Sequence, residues 1–171
     1  IAYAKEQLKK FSAISVREYS ATEILKNKFG IITETMIDPI FFLSAKDYRK
    51  LEAKSLFDRN EDYVLAYILD PTDDKKNVIE MVSETLGLPI EIALDGRKFT
   101  HSTNLNKLGM HNETLPELNE GEWINRISNA SYIVTDSFHG AAMALIMNKP
   151  FIMYANHDRG YPRFVTLAKM F

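Results

Sequence analysis

The residues Tyr63-Val64-Leu65-Ala66-Tyr67-Ile68-Leu69 form a near-continuous apolar run in an otherwise mixed chain. A strand with one wet face alternates apolar and polar positions. An unbroken run this short instead fits a strand covered on both faces, as in parallel sheets. Asp70-Pro71-Thr72-Asp73 ends the run, and Val78, Ile79, Val82 and Leu86 then recur at helical spacing over 75–86. Gly87 suits the left-handed position just past a helix end. Further strands are predicted at 89–94, 132–135 and 150–154. Helices are predicted over 121–129 and 138–147, with a last one from Arg163.

The first third of the chain is less regular. Ile1-Ala2-Tyr3-Ala4-Lys5 reads as a strand caught partway through a fold, and 6–11 as a short helical pattern with Leu8 and Phe11 three apart. Residues 13–16 alternate and predict a strand. Ser20 with Glu23 three positions on has the form of a capping box, opening a helix that should stop near Gly30. Residues 31–37, apolar and β-branched, predict a strand closed by Asp38-Pro39. Ser44 is a suitable cap for a short helix through Lys50. The polar stretch Asp58-Arg59-Asn60-Glu61-Asp62 reads as a connector and a domain boundary, dividing the chain into 1–58 and 59–171. Residues 95–118 lack periodicity and read mostly as loop, which at that length is uncommon unless it serves a function or is disordered.

Strand and helix alternate from Tyr63 onward, so the expected class is α/β, a Rossmann-like, mainly parallel sheet with flanking helices. Right-handed crossovers bring every strand-to-helix turn to one edge of such a sheet, the edge where open α/β sheets bind ligands. Those turns are the places to search for chemistry.

Composition narrows the search. Of 171 residues, 46% are hydrophobic and 26% charged, and the formal net charge is −2. This is globular composition without the basic footprint of a nucleic-acid binder. With no cysteine, a disulfide framework and a thiolate metal site are both excluded. No apolar stretch approaches the roughly 18 residues needed to span a bilayer, and the opening residues lack the basic and apolar regions of a signal peptide.

The turn after 132–135 is the first candidate. Thr135 ends a buried strand and a helix starts within two residues, so Asp136 or Ser137 can cap it. Backbone N–H groups and the positive dipole end then face the ligand edge, an arrangement that accepts phosphate or carboxylate. Gly140 permits close approach of a ligand or another backbone. His139, in the first turn, can donate to an anion or exchange a proton near neutral pH. The plainer reading is that Asp136 only caps and His139 is an ordinary helix residue.

Asn156-His157-Asp158-Arg159-Gly160-Tyr161-Pro162-Arg163-Phe164 follows a strand as well. Arg159 and Arg163 could clamp an anion bidentately, or could simply be solvated loop residues. Arg17 ends the 13–16 strand, and its plainer reading is an ion pair with Glu18 or another neighbour. Asp38-Pro39 reads as a structural turn, and Trp123, Ile124 and Ile127 as core. The four histidines lie ten or more residues apart, without zinc-ligand spacing. No glycine-rich dinucleotide or Walker loop and no GxSxG elbow occurs.

In order along the chain, Ala13-Ile14-Ser15-Val16-Arg17-Glu18, Asp38-Pro39 with Phe41-Phe42-Leu43, Trp123 with Ile127 and Ala130, and Val134-Thr135-Asp136-Ser137-Phe138-His139-Gly140 followed by Asn148-Lys149-Pro150-Phe151 resemble the polysaccharide pyruvyl transferase family. Arg159-Gly160 and Arg163-Phe164 extend the series. The resemblance implies the C-terminal half of a GT-B-like two-domain fold, with 1–58 as the end of an N-terminal Rossmann-like domain plus crossover and 59–171 as the C-terminal one. It implies transfer of a pyruvyl group from phosphoenolpyruvate to a sugar or lipid-linked glycan acceptor of a bacterial surface polysaccharide, with no cofactor. His139 is carried over as catalytic and donor-binding, and Arg17 as donor-binding. Asp136, Ser137, Gly140, Arg159 and Arg163 are expected to support substrate binding. The donor implies a cytoplasmic location, the inner face of the membrane included. The family's N-terminal half, with its glycine-containing opening strand, is missing from the match, and the passage at Ala4-Lys5 is abrupt where a longer loop is usual. The chain is therefore expected to be a fragment, inactive by itself. Two competing readings are half of a GT-B glycosyltransferase, which its lack of a spaced glutamate pair disfavours, and a non-catalytic anion-binding module.

Overall fold

The computed structural model describes residues 2–53, 61–94 and 98–171. The chain forms two compact units, Ile1–Phe42 with Asn156–Phe171, and Leu43–Ala155. The boundary expected near residue 58 lies outside the described residues.

The larger unit is built on one sheet of four parallel strands in the order β4 (Ile90–Leu94), β3 (Val64–Ile68), β5 (Tyr132–Thr135), β6 (Phe151–Met153). Val64 is level with both Ile90 and Tyr132, so the three longest strands start together. Strand alternation sends Val64, Ala66 and Ile68 to one face, where they meet Ile92, Leu94 and Val134 and the helix residues Ile79, Val82 and Leu108. Leu65 and Tyr67 go to the other face, where Tyr67 meets Trp123 edge-on at 5.5 Å. Both faces of β3 are thus covered, which is why its sequence does not alternate.

Helix α4 (Asp73–Leu86) starts on the Thr72 side chain, which accepts from the Lys75 N–H, and ends at Gly87 with φ 65°. Helix α6 (Glu120–Asn129) opens with a capping box between Asn119 and Glu122, and α3 (Ala45–Arg49) with one between Ser44 and Asp47. Helix α7 (Phe138–Ile146) is buried along most of its length between the sheet and α6. The stretch read as loop contains α5 (Lys98–Leu108). Its inward stripe is His101, Asn104, Leu105 and Leu108, with helical spacing, but half of that stripe is polar and hides the period. Leu105 and Leu108 pack on the core, and the Asn104 amide donates to the Leu69 carbonyl at 3.0 Å. Tertiary packing rather than amphipathic pattern holds this helix. Beyond it, Ile92 exchanges backbone bonds with Glu113 and Leu115, both at 2.8 Å, so chain covers the open edge of β4.

In the smaller unit the opening residues are helical, not extended: α1 spans Ala2–Leu8. Alanine, lysine, glutamate, glutamine and leucine are strong helix formers, and their propensity outweighs the apolar look of the start. β1 (Ser15–Val16) pairs in parallel with β2 (Glu34–Thr35) through α2 (Tyr19–Ile24), which runs into a π-helical turn, Leu25–Phe29, closed by Gly30 at φ 68°. Helix α2 begins two residues earlier than the Ser20 capping box suggests, with Glu18 at the cap position and no side-chain cap bond. The strand expected over 31–37 shrinks to the two residues that find a partner in β1. A 3₁₀ turn, Pro39–Phe42, follows. At the chain's end a second 3₁₀ turn, His157–Arg159, leads into α8 (Tyr161–Met170). Proline at the second helical position explains why α8 starts two residues before Arg163. Helix α8 packs on α2, and Phe41 stacks on Phe171 at 5.1 Å.

Candidate functional site

Sequence order and sheet order disagree at one place. The chain leaves β3 for β4 on one side, then crosses back to place β5 on the other. The carboxyl ends of β3 and β5 therefore flank a topological switch point, where helices leave in opposite directions and open a crevice. The turn from Thr135 to Gly140 lies on that edge.

Hydrogen bonds from three side chains shape the turn. Thr135 Oγ1 donates to the Tyr67 carbonyl of β3 at 2.7 Å and accepts the Ser137 N–H at 3.1 Å. Ser137 Oγ accepts the Gly140 N–H at 3.3 Å and caps α7. Asp136, with none of its surface exposed, reaches across the switch point to the turn after β3. Its Oδ1 accepts the Leu69 N–H at 2.6 Å, and its Oδ2 accepts the Asp70 N–H at 3.0 Å and the Lys75 ammonium at 2.7 Å. Both carboxylate oxygens are thus engaged by protein donors, and Asp136 acts on its surroundings through the turn it holds. A Cβ on Gly140 would come within 2.5 Å of Thr135 Oγ1 and 2.9 Å of Tyr67 Cδ1. The close neighbours that require glycine here are protein side chains.

His139 is exposed in the first turn of α7, with its ring edge-on to Phe138 at 5.3 Å. Two helices start at the switch point, and their electrostatics differ. The first turn of α4 carries Asp73 and Asp74, which already neutralise its positive end; the first turn of α7 has no acid. Peptide dipoles make an acid-free helix start favourable for an anion. The carboxylate that directly precedes its cap, Asp136, is compensated by Lys75, whose side chain is itself only 12% exposed.

The other expected residues lie in the smaller unit. Arg17, at the carboxyl end of β1, meets Asp38 Oδ2 at 2.6 Å and Glu18 Oε1 at 3.6 Å. Asp38 also accepts the Ile40 N–H at 3.1 Å through its other oxygen, so the Asp-Pro turn both closes its own backbone and orients the arginine. Arg17 lines a cleft of 610 Å³ whose apolar wall is Val16, Met36, Ile37, Pro39 and Phe42. Arg163 donates to the Arg159 carbonyl and folds against Gly160, whose φ of 88° shapes the turn. Asn156 caps the 3₁₀ turn by accepting the Asp158 N–H at 3.1 Å, and His157 stacks on Tyr161 at 4.2 Å.

The structure thus brings Asp136, Ser137, His139 and Gly140 into one turn, Arg159 and Arg163 into another, and gives Arg17 an acidic partner in Asp38. Sequence reasoning passed over Lys75 and Asn104. Lys75 lies 61 residues from Asp136 and nothing local marks it; Asn104 sits in a stretch read as loop.

A parallel α/β sheet with a capped helix start at its switch point defines a Rossmann-like protein. Residues 1–158 match the family model described as polysaccharide pyruvyl transferase, and the chain belongs to that family. The match covers nearly the whole chain, not only its C-terminal half, and includes Arg17 and the Thr135–Gly140 turn; it ends one residue before Arg159. No curated protein matches the chain. Among the described residues, no helix is long and apolar enough to cross a membrane.

Proposed function

We propose that the protein transfers the pyruvyl group of phosphoenolpyruvate to a sugar, forming a ketal and releasing phosphate. The observation that carries this reading is the exposed imidazole of His139 on a helix start without acidic residues, in a chain of this family. Phosphoenolpyruvate carries a phosphate and a carboxylate on three carbons, and an acid-free helix end is suited to one of them.

The chemistry is proton-initiated. A proton delivered to the methylene carbon makes the adjacent carbon electrophilic, and a sugar hydroxyl adds there. A second hydroxyl of the same sugar closes the ketal as the carbon–phosphate oxygen bond breaks. Of the two hydroxyl protons, one balances the new methyl group and one leaves with phosphate. His139 is the proton donor in this reading, a role worth about 10²–10⁴-fold in rate. Arg17 is assigned to the donor, because its planar guanidinium matches carboxylate and phosphate. Arg159 and Arg163 are assigned supporting charge. The acceptor is a sugar or lipid-linked glycan of a surface polysaccharide. The donor is a cytoplasmic metabolite, so the reaction belongs in the cytoplasm or at the membrane's inner face.

The test is phosphate release from phosphoenolpyruvate by the protein, screened against sugar acceptors and repeated with His139→Ala. Acceptor-dependent release that falls by two orders of magnitude or more in the variant is the expected result. Unchanged turnover and donor affinity in His139→Ala would remove the histidine from the mechanism. No release with any acceptor would remove phosphoenolpyruvate as donor.

A further inference from the structure

A charged pair lies largely out of solvent at the switch point, and the reaction outlined above makes no use of it. Asp136 is fully buried and Lys75 is 12% exposed, with 2.7 Å between them. An ion pair removed from water to this degree is costly unless each partner's remaining bonds are met. Here they are met by backbone. The Lys75 ammonium also donates to the Asp70 carbonyl at 2.5 Å, while Asp136 takes the amides of Leu69 and Asp70 at 2.6 and 3.0 Å. The whole network joins two turns, one after β3 and one after β5, and uses both backbone polarities of Asp70.

A second strap runs parallel to it, from the Tyr67 carbonyl through Thr135 Oγ1 to the Ser137 N–H. On the far side, Asn104 secures the Leu69 carbonyl. These contacts set the height at which α7 starts above the sheet edge. The pair has an electrostatic consequence as well. Asp136 directly precedes the cap Ser137, so an uncompensated charge on it would sit beside the helix end that favours an anion. Lys75 compensates that charge at 2.7 Å.

We propose that Lys75 is a positioning residue for the anion-binding turn of α7: through Asp136 it fixes the turn that bears His139 and keeps the helix start free of net negative charge. The proposal rests on the donor reading above for its ligand, but not for its structural part. It makes Lys75 act through another residue, without contact to the substrate.

The experiment compares wild type, Lys75→Gln and Lys75→Gln/Asp136→Asn. Glutamine keeps a hydrogen-bond donor but no charge, and the double variant removes both charges together. Charge at a partly buried helix end is worth up to about 30-fold in an equilibrium, so Lys75→Gln is expected to raise KM for phosphoenolpyruvate by roughly 10- to 30-fold. Amide exchange at Ser137, Phe138 and His139 should accelerate in the same variant. The double variant should recover part of the lost donor affinity. A purely structural lysine would lower the active fraction and leave KM where it was. An unchanged KM in folded Lys75→Gln therefore overturns the proposal, as does a double variant no better than the single. If wild type releases no phosphate from phosphoenolpyruvate, the donor reading fails separately. Affinity for inorganic phosphate then takes the place of KM: weaker binding by Lys75→Gln upholds the proposal, and equal binding or none by wild type overturns it. Should Lys75→Gln not fold, Lys75→Arg keeps the charge and a donor, and must retain the wild-type KM.

Discussion

Gly140 and Thr135 lie so close that a single methyl group on the glycine would sit 2.5 Å from the threonine hydroxyl. That hydroxyl is already committed in two directions, to the Tyr67 carbonyl and the Ser137 amide, so it cannot move aside without breaking the turn. Gly140→Ala is expected to destabilise the protein by about 1–3 kcal/mol, the usual cost of overpacking a filled site. Denaturant unfolding measures it. An unchanged midpoint would show that α7 can slide along the sheet.

Arg126 and Glu91 meet at 3.1 Å with side chains 2% exposed on both sides. Taking away one partner of such a pair leaves a buried charge alone. Arg126→Met should cost about 3–5 kcal/mol, whereas Arg126→Met with Glu91→Leu should regain most of that loss. The difference between the single and double variants in urea unfolding is the measurement. Equal losses in both would mean that the pair's packing, not its charge, is what matters.

Arg17 offers a test in the smaller unit. Lysine keeps its charge but loses the planar fork that Asp38 orients. If Arg17 holds the donor, Arg17→Lys should lower kcat/KM for phosphoenolpyruvate by roughly 10- to 100-fold, the worth of one or two charge-assisted hydrogen bonds. Stability should change little, because the arginine side chain is 41% exposed. Steady-state phosphate release and a thermal melt separate the two effects.

Acid should act on α3 at a defined place. The Lys50 ammonium, bonded to the Asp47 carboxylate, together with the Ser44 hydroxyl and amide, lowers its pKa from 3.8 to about 2. A carboxyl whose folded pKa is depressed adds stability above its unfolded pKa and loses it as pH falls toward the folded value. The capping box of α3 should therefore hold at neutral pH and weaken between about pH 4 and pH 2. A carboxyl-resolved NMR titration should place the Asp47 midpoint near 2, and Lys50→Ala should move it upward. A midpoint near the ordinary value would show that the Ser44–Lys50 contacts are not kept in solution.

The sequence by itself determined the four strands of the larger sheet and their order along the chain. A five- to seven-residue apolar run has few other uses, and β3, β4, β5 and β6 all fall within the stretches it marked. Caps were legible too, at Ser44, Gly87 and Gly30, because the chemistry of a helix end involves residues three or four apart. The turn at Thr135–Gly140 stood out for the same reason. Where the inward stripe held His101 and Asn104, α5 was not legible, and at the chain's start helix propensity was masked by an apolar look. Only the tertiary structure decided that β3 lies between β4 and β5, which turns two distant loops into one switch point. From that adjacency follow the Asp136–Lys75 pair, the neutrality of the α7 start, and the side chains that make Gly140 obligatory. The bonds of Lys75 with Asp136 and of Tyr67 with Thr135 join residues more than 60 positions apart. Local pattern carries information over about one helical turn or one strand, so contacts of that span are set by how the strands cross over.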